Sequence, residues 1–340
     1  MGGMRAIELF SPGPDPAEAL RAVERPLPVP GPGQVRLRVT ASAVCRTDLQ
    51  LTTGDLPAHL LPVMPGHQVV GVVDALGSGV EGWHIGDRAG LVWLARTCGE
   101  CRFCAAGREN LCLHAEFTGW DVDGGYAEFV VAEAAFTHSL AHLPTTTPDA
   151  AVAPLLCGGV IGYRSLRVAE VGPECSGLRL GLYGFGASAT IALQVARYWG
   201  AEVHVVTRSV AEVARAAELG ATWAGTYDEQ LPVALDAAVT FAPSGAVVAR
   251  ALRDCDRGAI VAINAIHLDE IPALNYDDLW WERSLRSVAN VTRADVHEFL
   301  QLVPQADVRT QYELVPLADA ALAQQRLAAG DVAGAFVLRP

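Results

Sequence analysis

The sequence predicts an α/β protein with two domains, one of which contains a doubly wound parallel sheet. Residues 4 to about 150 contain short apolar runs separated by glycine and proline turns, a pattern typical of β-structure. From about Leu178 onward, short apolar strands alternate with helical segments. This strand–helix–strand repetition indicates a parallel sheet with right-handed crossovers. The chain has 340 residues, of which 51% are hydrophobic, and this is sufficient for two cores.

The first part of the chain contains two strand candidates. Residues 34–39 follow a turn rich in proline and glycine at 26–33, and residues 69–73 form an apolar run. The glycines within 77–79 and 82–86 are typical of turns between strands. We therefore predict a β-rich region with several short strands.

The second part alternates between strands and helices. We predict strands at residues 180–184, 203–206, 236–239 and 259–263, and helices at 187–199 and 211–219. The C-terminal segment is predicted to end in a helix over 317–329 and a strand over 334–338.

The composition excludes several classes of protein. The net charge of −13 argues against a protein that coats nucleic acid, because such a protein needs a basic face. All 25 residues counted as lysine or arginine are arginine, which excludes mechanisms that require a lysine. No apolar run reaches the roughly 18 residues of a membrane span, and the N-terminus has no signal-peptide pattern. We therefore expect a cytoplasmic protein without a membrane or nucleic-acid partner.

Four of the eight cysteines lie in one short segment. Cys98, Cys101, Cys104 and Cys112 follow the spacing C-x2-C-x2-C-x7-C. Glycines at 99 and 107 allow this loop to fold back, and four thiolates around one ion suit a structural zinc without an open position for chemistry. The alternatives are four unliganded buried cysteines, two local disulfides or an iron–sulfur cluster.

A dinucleotide-binding fingerprint follows the first strand of the second part. Gly184, Gly186 and Ala189 form the pattern G-x-G-x-x-A between an apolar strand and a helix. Gly184 permits the tight turn, Gly186 permits close approach of the backbone to a pyrophosphate, and the helix beginning at Ala187 directs its N-terminus at the phosphates.

The next strand favours NADP(H) over NAD(H). An NAD-preferring fold places a carboxylate at the end of its second strand, whereas this strand ends in Thr207, Arg208 and Ser209. A guanidinium beside two hydroxyls suits a 2'-phosphate. Asn264 and Ile266 follow a later strand, where we expect them to line the nicotinamide site.

Taken together, the motifs resemble those of the zinc-dependent medium-chain alcohol dehydrogenase family over essentially the whole chain. The matching stretches are residues 44–49, 65–67, 71–73, 77–80, 86–88, the four-cysteine lobe, 124–128 and 156–158. The resemblance implies a GroES-like, β-rich catalytic domain formed by residues 1–154 and 288–340, and a Rossmann cofactor domain formed by residues 155–287. It also implies a homodimer or homotetramer.

By this resemblance, Cys45, His67 and Cys157 are ligands of a second, catalytic zinc, which makes two zinc ions per chain. The fourth position would be open to water, an alcohol or a carbonyl oxygen. Asp48 is expected to accept the other ring N–H of His67. Thr47 is expected to pass on the substrate proton.

The resemblance also assigns residues to the substrate and the cofactor. Trp93 corresponds to a wall of the substrate cleft, and Leu56, Trp120 and Thr47 are further candidates, although the two tryptophans are alternatively core residues. Arg46 is expected to contact the cofactor pyrophosphate. His59, His114 and His138 are interpreted as solvated or structural.

Three positions differ from the family pattern. Gln68 replaces a glutamate next to the zinc, Gln50 replaces a relay histidine, and Ala335 replaces an arginine. Glutamine cannot titrate near neutrality, so we expect protons to leave through water.

The implied reaction is hydride transfer between a nicotinamide cofactor and a zinc-bound small-molecule alcohol or carbonyl, which is the activity of an alcohol dehydrogenase or aldehyde reductase. The altered relay leaves an alternative open, namely NADPH-dependent reduction of an iminium or activated alkene. A non-catalytic binding relative is a further alternative.

Overall fold

The computed structural model describes residues 2–340. Its β-strands are β1 (Gly3–Leu9), β2 (Leu20–Pro26), β3 (Gln34–Ala43), β4 (Gln68–Leu76), β5 (Arg88–Leu91), β6 (Leu94–Arg96), β7 (Glu116–Phe117), β8 (Phe129–Glu133), β9 (His138–Ser139), β10 (Arg179–Tyr183), β11 (Glu202–Thr207), β12 (Trp223–Thr226), β13 (Leu235–Thr240), β14 (Cys255–Ile263), β15 (Ser284–Ser287), β16 (Tyr312–Pro316) and β17 (Ala335–Arg339). Its α-helices are α1 (Pro16–Ala19), α2 (Arg46–Thr53), α3 (Arg102–Ala105), α4 (Asp149–Val152), α5 (Gly158–Val168), α6 (Ala187–Tyr198), α7 (Val210–Glu218), α8 (Gly245–Asp254), α9 (Tyr276–Leu279), α10 (Arg293–Gln305) and α11 (Ala320–Ala328).

The chain forms two compact units. The first contains the residues up to Cys157 together with Asn290–Pro304 and Arg309–Pro340, and the second contains Gly158–Ala289 with Gln305–Val308. The domain boundaries expected from the sequence, after residues 154 and 287, lie a few residues before the divisions after Cys157 and Ala289. Within residues 2–340, no helix is both long and apolar enough to span a bilayer.

The first unit is built on a largely antiparallel sheet. Its strand order is β16-β17-β3-β4-β5-β9, and β8 pairs with β3 as well. Val35, Leu37, Val69 and Val73 are buried together on this sheet, as expected for strands with one apolar face. Strand β3 continues to Ala43, beyond the predicted end at residue 39, because its last residues pair with β4 and β17.

The second unit contains a six-stranded parallel sheet. Its order is β12-β11-β10-β13-β14-β15, and every neighbouring pair is parallel. This is the doubly wound order. The chain first adds β11 and β12 on one side of β10, and then adds β13, β14 and β15 on its other side. The predicted α/β fold with a doubly wound parallel sheet is confirmed.

The structure differs from the sequence prediction at some element ends. Strand β14 begins at Cys255 instead of 259, since an irregular register between Leu235 and Ala237 lets it pair with β13 earlier. The predicted C-terminal helix from residue 317 is divided into a 3-10 turn, Leu317–Asp319, and helix α11.

Candidate active site

Strand pairing brings Cys45 and His67 together. Ala43, at the end of β3, pairs with Gln68, at the start of β4. Cys45 therefore lies two residues beyond one strand and His67 one residue before the other, at the same edge of the sheet. Cys45 is also the N-cap of helix α2, where its backbone N–H donates to the Asp48 carboxylate at 2.8 Å.

Cys157 completes a three-ligand cluster in the first unit. It follows a buried 3-10 turn, Ala153–Leu156, which packs against β3 and β4. Its sulfur lies 4.0 Å from that of Cys45. The ligand atoms of Cys45, His67 and Cys157 all lie within 4.8 Å of one another.

The geometry of this cluster fits a tetrahedral metal ion. Two sulfurs bound about 2.3 Å from one zinc lie about 3.8 Å apart, whereas a disulfide requires about 2.05 Å. His67 is 1% exposed, and within residues 2–340 its Nε2 atom has no hydrogen-bond partner. A buried ring nitrogen without a partner carries a desolvation cost that a bound cation would remove.

Asp48 orients the histidine of the cluster. Its carboxylate accepts a hydrogen bond from Nδ1 of His67 at 2.9 Å, and both side chains are buried. This leaves Nε2 free to bind a metal and fixes the ring, as in other carboxylate–histidine–metal arrangements.

The charges in the cluster favour a cation. Burial alone lowers the pKa of His67, but the Asp48 carboxylate and Cys45 outweigh it and raise this pKa to about 10. A hydrogen bond from the Cys157 thiol lowers the pKa of Cys45. The same contact with Cys45, together with burial, raises the pKa of Cys157. A metal ion would displace the ring proton and stabilise both thiolates.

The four-cysteine lobe forms a second sulfur cluster. Its four sulfurs lie within 4.8 Å of one another, and all the cysteines are free. Sulfur pairs at 3.5 and 4.0 Å match neighbouring ligands of one tetrahedral ion. Backbone N–H groups of Cys98, Cys101 and His114 donate to these sulfurs at 3.4 to 3.5 Å, which favours thiolates. Hydrogen bonds from the Cys104 backbone N–H and neighbouring groups lower the pKa of Cys101 to about 6.

Aromatic rings extend from the cluster as a wall. The ring of Trp93 lies 5.9 Å from the His67 ring and 5.8 Å from the Trp120 ring, and the Phe117 ring lies 5.0 Å from Trp93 and 5.6 Å from Trp120. His59 stacks on Trp120 at 4.0 Å, and its Nδ1 is 2.7 Å from Asp121. We define Trp93, Phe117, Trp120 and His59 as the aromatic wall.

The wall includes both predicted tryptophans and two residues that the sequence analysis missed. Trp93 and Trp120 are partly buried and pack on a core that includes Leu56. A group of rings from three separate segments has no local sequence signal, so Phe117 and His59 could not be found from the sequence.

The other predicted residues near the cluster lie in the same unit. Thr47 is buried, with its Oγ1 3.7 Å from the Cys45 sulfur. Gln68 is buried and donates at 3.5 Å to the Ala43 carbonyl oxygen, whereas Arg46 is exposed. Ala335 is the first residue of β17.

In the second unit, the glycine fingerprint forms the turn between β10 and α6. Gly184 has a φ of +86°, which requires glycine, and Gly186 is the N-cap of α6. A Cβ atom at Gly186 would meet nothing within 4 Å, so the space in front of the helix is open to a ligand. Ala187 is exposed at this opening and Ala189 is buried behind it. Arg215, which the sequence analysis missed, donates to the Phe185 carbonyl oxygen at 2.6 Å and holds this turn.

The end of β11 presents Arg208 as an exposed residue. Thr207 is buried and its hydroxyl donates to Glu212, so this hydroxyl is already engaged. Ser209 is the N-cap of α7 and is partly exposed. Arg208 and Ser209 therefore remain available to a ligand, whereas Thr207 supports the start of α7. After β14, Asn264 is partly exposed and Ile266 is 53% exposed.

Comparison with known proteins places these features in one family. Residues 31–144 match the family described as the alcohol dehydrogenase GroES-like domain. A probable alcohol dehydrogenase AdhA from Mycobacterium tuberculosis is 48% identical and covers 98% of this chain and 97% of its own. An alcohol dehydrogenase from Geobacillus stearothermophilus is 32% identical, with coverage of 94% and 95%.

Solved structures agree with this relationship. The structure of a thermostable alcohol dehydrogenase from Pyrobaculum aerophilum, with bound cobalt and zinc, has a TM-score of 0.88 at 26% identity and covers 100% of both chains. The sequence resemblance is thereby confirmed, and the chain belongs to the zinc-dependent medium-chain alcohol dehydrogenase family.

Proposed function

We propose that this protein is a zinc-dependent alcohol dehydrogenase or aldehyde reductase that favours NADP(H). It transfers hydride between the nicotinamide and a small-molecule alcohol or carbonyl compound. The observation that carries the proposal is the convergence within 4.8 Å of two sulfurs and the buried Nε2 of His67, which has no hydrogen-bond partner among residues 2–340. Three protein ligands leave a fourth position for a substrate oxygen.

The cluster fits zinc, which when bound would act as a Lewis acid that stabilises negative charge on oxygen. Cys45, His67 and Cys157 would hold the ion, and the four-cysteine lobe would hold a second, structural one. Asp48 keeps the His67 ring in the tautomer that presents Nε2. The assignment therefore predicts two zinc ions per chain.

Thr47 is proposed to receive the hydroxyl proton of an alcohol substrate. Its hydroxyl lies beside the Cys45 sulfur, and it can donate one hydrogen bond while accepting another. Gln50 in the same helix cannot titrate near neutrality, so the proton passes from Thr47 to water.

NADP(H) preference is proposed from the end of β11. Among the residues described there, the exposed side chain is the guanidinium of Arg208, and Ser209 adds a hydroxyl. The Glu212 carboxylate is already occupied by the Thr207 hydroxyl. Gly184, Gly186 and the start of α6 would hold the pyrophosphate, and Arg46, Asn264 and Ile266 are proposed as further cofactor contacts.

The aromatic wall supports substrates with an apolar or aromatic substituent. Stacking on offset rings contributes about 0.5–1.5 kcal/mol per pair beyond area burial. Leu56 is proposed to complete this apolar surface. Aldehydes and alcohols that carry a ring are therefore the expected substrates.

The alternative of iminium or activated-alkene reduction is not favoured, because the closely related proteins described above are named alcohol dehydrogenases. A screen of short, branched and aromatic aldehydes and alcohols, and of cyclic imines, with NADPH and with NADH, tests the proposal. Turnover of imines alone would overturn it. Absence of any turnover by a fully zinc-loaded protein would favour the non-catalytic alternative.

A homodimer or homotetramer and a cytoplasmic location are proposed as well. Exposed Tyr276, Trp280 and Trp281 lie close to the edge strand β15, and exposed aromatic patches are typical of interaction surfaces. All eight cysteines are free, as expected in a reducing compartment. Light scattering on the purified protein measures the oligomeric state, and a monomer would contradict this expectation.

A further inference from the structure

The segment Gly124–Tyr126 is tied by its backbone to the segment that carries His67. The N–H groups of Gly124, Gly125 and Tyr126 donate to the carbonyl oxygens of Met64, Gly66 and Pro65, at 2.7, 2.8 and 2.9 Å respectively. Both segments belong to the stretches that resemble the family, but the proposed reaction assigns no role to Gly124–Tyr126. Their direct connection suggests a shared role at the metal cluster.

Glycine at position 66 allows the Tyr126 ring to close on this segment. Gly66 has a φ of +96°, and a Cβ atom there would lie 2.4 Å from Cδ1 of Tyr126. A Cβ atom at Gly124 would lie 2.2 Å from the Gly66 carbonyl oxygen. Glycine is thus required at position 66 by the close packing of the Tyr126 ring, and at position 124 by the close approach of the two backbone segments.

The Tyr126 hydroxyl reaches the carboxylate that orients His67. Tyr126 is 0% exposed, and its hydroxyl donates to Oδ2 of Asp48 at 3.4 Å. That oxygen also accepts the Cys45 N–H at 2.8 Å, while Oδ1 accepts Nδ1 of His67 at 2.9 Å. Asp48 therefore connects two metal-ligand residues, and Tyr126 is its third donor.

Helix α11 places a buried amide beside this hydroxyl. Gln324 is 0% exposed and lies close enough to lower the pKa of the Tyr126 hydroxyl, but neither of its amide atoms has a hydrogen-bond partner among residues 2–340. Burying a polar side chain without partners costs free energy, so a purely structural role in the core would favour an apolar residue here.

We propose that Tyr126 is a positioning residue for the metal cluster, whose hydroxyl fixes the Asp48 carboxylate and thereby the His67 ring. The inference rests on the proposed function, in that Cys45, His67 and Cys157 are taken to bind zinc. It assigns to Tyr126 no contact with the substrate.

The test is the variant Tyr126→Phe in the full-length, zinc-loaded protein. We expect a chelator to remove the zinc held by Cys45, His67 and Cys157 several-fold faster than from wild type. The effect should be smaller than the about 10- to 100-fold loss of metal affinity that follows removal of a ligand's own hydrogen-bond partner, here Asp48. The second zinc, in the four-cysteine lobe, serves as an internal reference and should be released at the unchanged rate. The cobalt-substituted variant should show a shifted visible absorption band at the cluster.

A matched control is Tyr183→Phe. Tyr183 is also 0% exposed and its hydroxyl donates to an aspartate, Asp254, at 2.7 Å in the second unit. This variant should lose stability without changing the release of either zinc.

These outcomes distinguish an error in the proposed metal site from an error in the role of Tyr126. If wild type holds zinc only in the lobe, the metal assignment of the cluster is wrong. If wild type holds two zinc ions and Tyr126→Phe releases both at wild-type rates, or releases both equally faster, the positioning role is overturned. Selective loss of one zinc, with the cobalt band shifted, supports it.

Discussion

The burial of His138 predicts how strongly the stability of the fold depends on pH. This histidine lies in β9, is 9% exposed, and its Nε2 has no hydrogen-bond partner among the residues described. Burial, assisted by the positive charge of Arg293 and His297 and opposed by Glu109, lowers its pKa from 6.5 to about 4. His138 is therefore neutral in the folded protein at pH 5, whereas in the unfolded chain it is protonated.

The sign of the effect follows from this difference. The unfolded state binds more protons than the folded state between pH 6.5 and about pH 4, so stability falls as the pH decreases through this range. A tenfold difference in proton affinity corresponds to about 1.4 kcal/mol. The free energy of unfolding should therefore fall by about 2 kcal/mol between pH 8 and pH 5, and by about 3 kcal/mol by pH 4.

The perturbation is His138→Gln, which cannot take up a proton in this range. The free energy of unfolding is measured by urea denaturation of wild type and variant at a series of pH values from 8 to 5. Acid-induced loss of metal affects both proteins, so the difference between them isolates His138. We expect the variant to lose about 2 kcal/mol less than wild type. Equal pH dependence of the two proteins, or a pKa near 6.5 for His138 by nuclear magnetic resonance, would refute the reasoning.

Four further substitutions test the site. Arg208→Ala should lower kcat/KM for NADPH by about 10- to 100-fold, which is the contribution of a hydrogen bond to a charged group, and leave kcat/KM for NADH unchanged. An equal decrease with both cofactors would contradict the cofactor assignment. Cys104→Ser should reduce the zinc content by one ion and lower the melting temperature, and retention of two ions by mass spectrometry would argue against a single four-sulfur site. Trp93→Ala should lower kcat/KM for aromatic aldehydes by about 10-fold but change that for acetaldehyde much less, and an equal decrease for both would remove the wall from substrate binding. Gly66→Ala should destabilise the fold by about 2 kcal/mol or more in thermal or urea unfolding, because its Cβ would overlap the Tyr126 ring; a stability equal to wild type would contradict that packing.

Local patterns allowed much of this molecule to be predicted. The turn between β10 and α6 follows from the placement of two glycines between a strand and a helix, and Gly184 has the positive φ that such a turn requires. The four-cysteine lobe likewise lies within one short segment. The Asp48–His67 hydrogen bond followed from the family resemblance, and the structure places these groups 2.9 Å apart.

Other features depend on how separate elements of the fold pack against one another. The bond between Thr207 and Glu212 could not be predicted, because the carboxylate belongs to the following helix and its direction depends on how that helix packs. The contact between Arg215 and the Phe185 carbonyl oxygen joins residues thirty positions apart in sequence. Tyr126 is separated from Asp48 by 78 positions, and no periodic pattern relates them.

The two sulfur clusters differ in how far apart along the chain their members lie, and this has a consequence for biosynthesis. The lobe spans residues 98 to 112, so a newly made, still flexible segment can capture a metal after closing only a short loop. Cys45 and Cys157 are separated by 112 positions and meet only after β3, β4 and the later turn have assembled. Metal acquisition is therefore expected to be sequential during maturation, with the lobe filled first, and a nascent chain released before residue 157 has emerged would carry one ion but not the other.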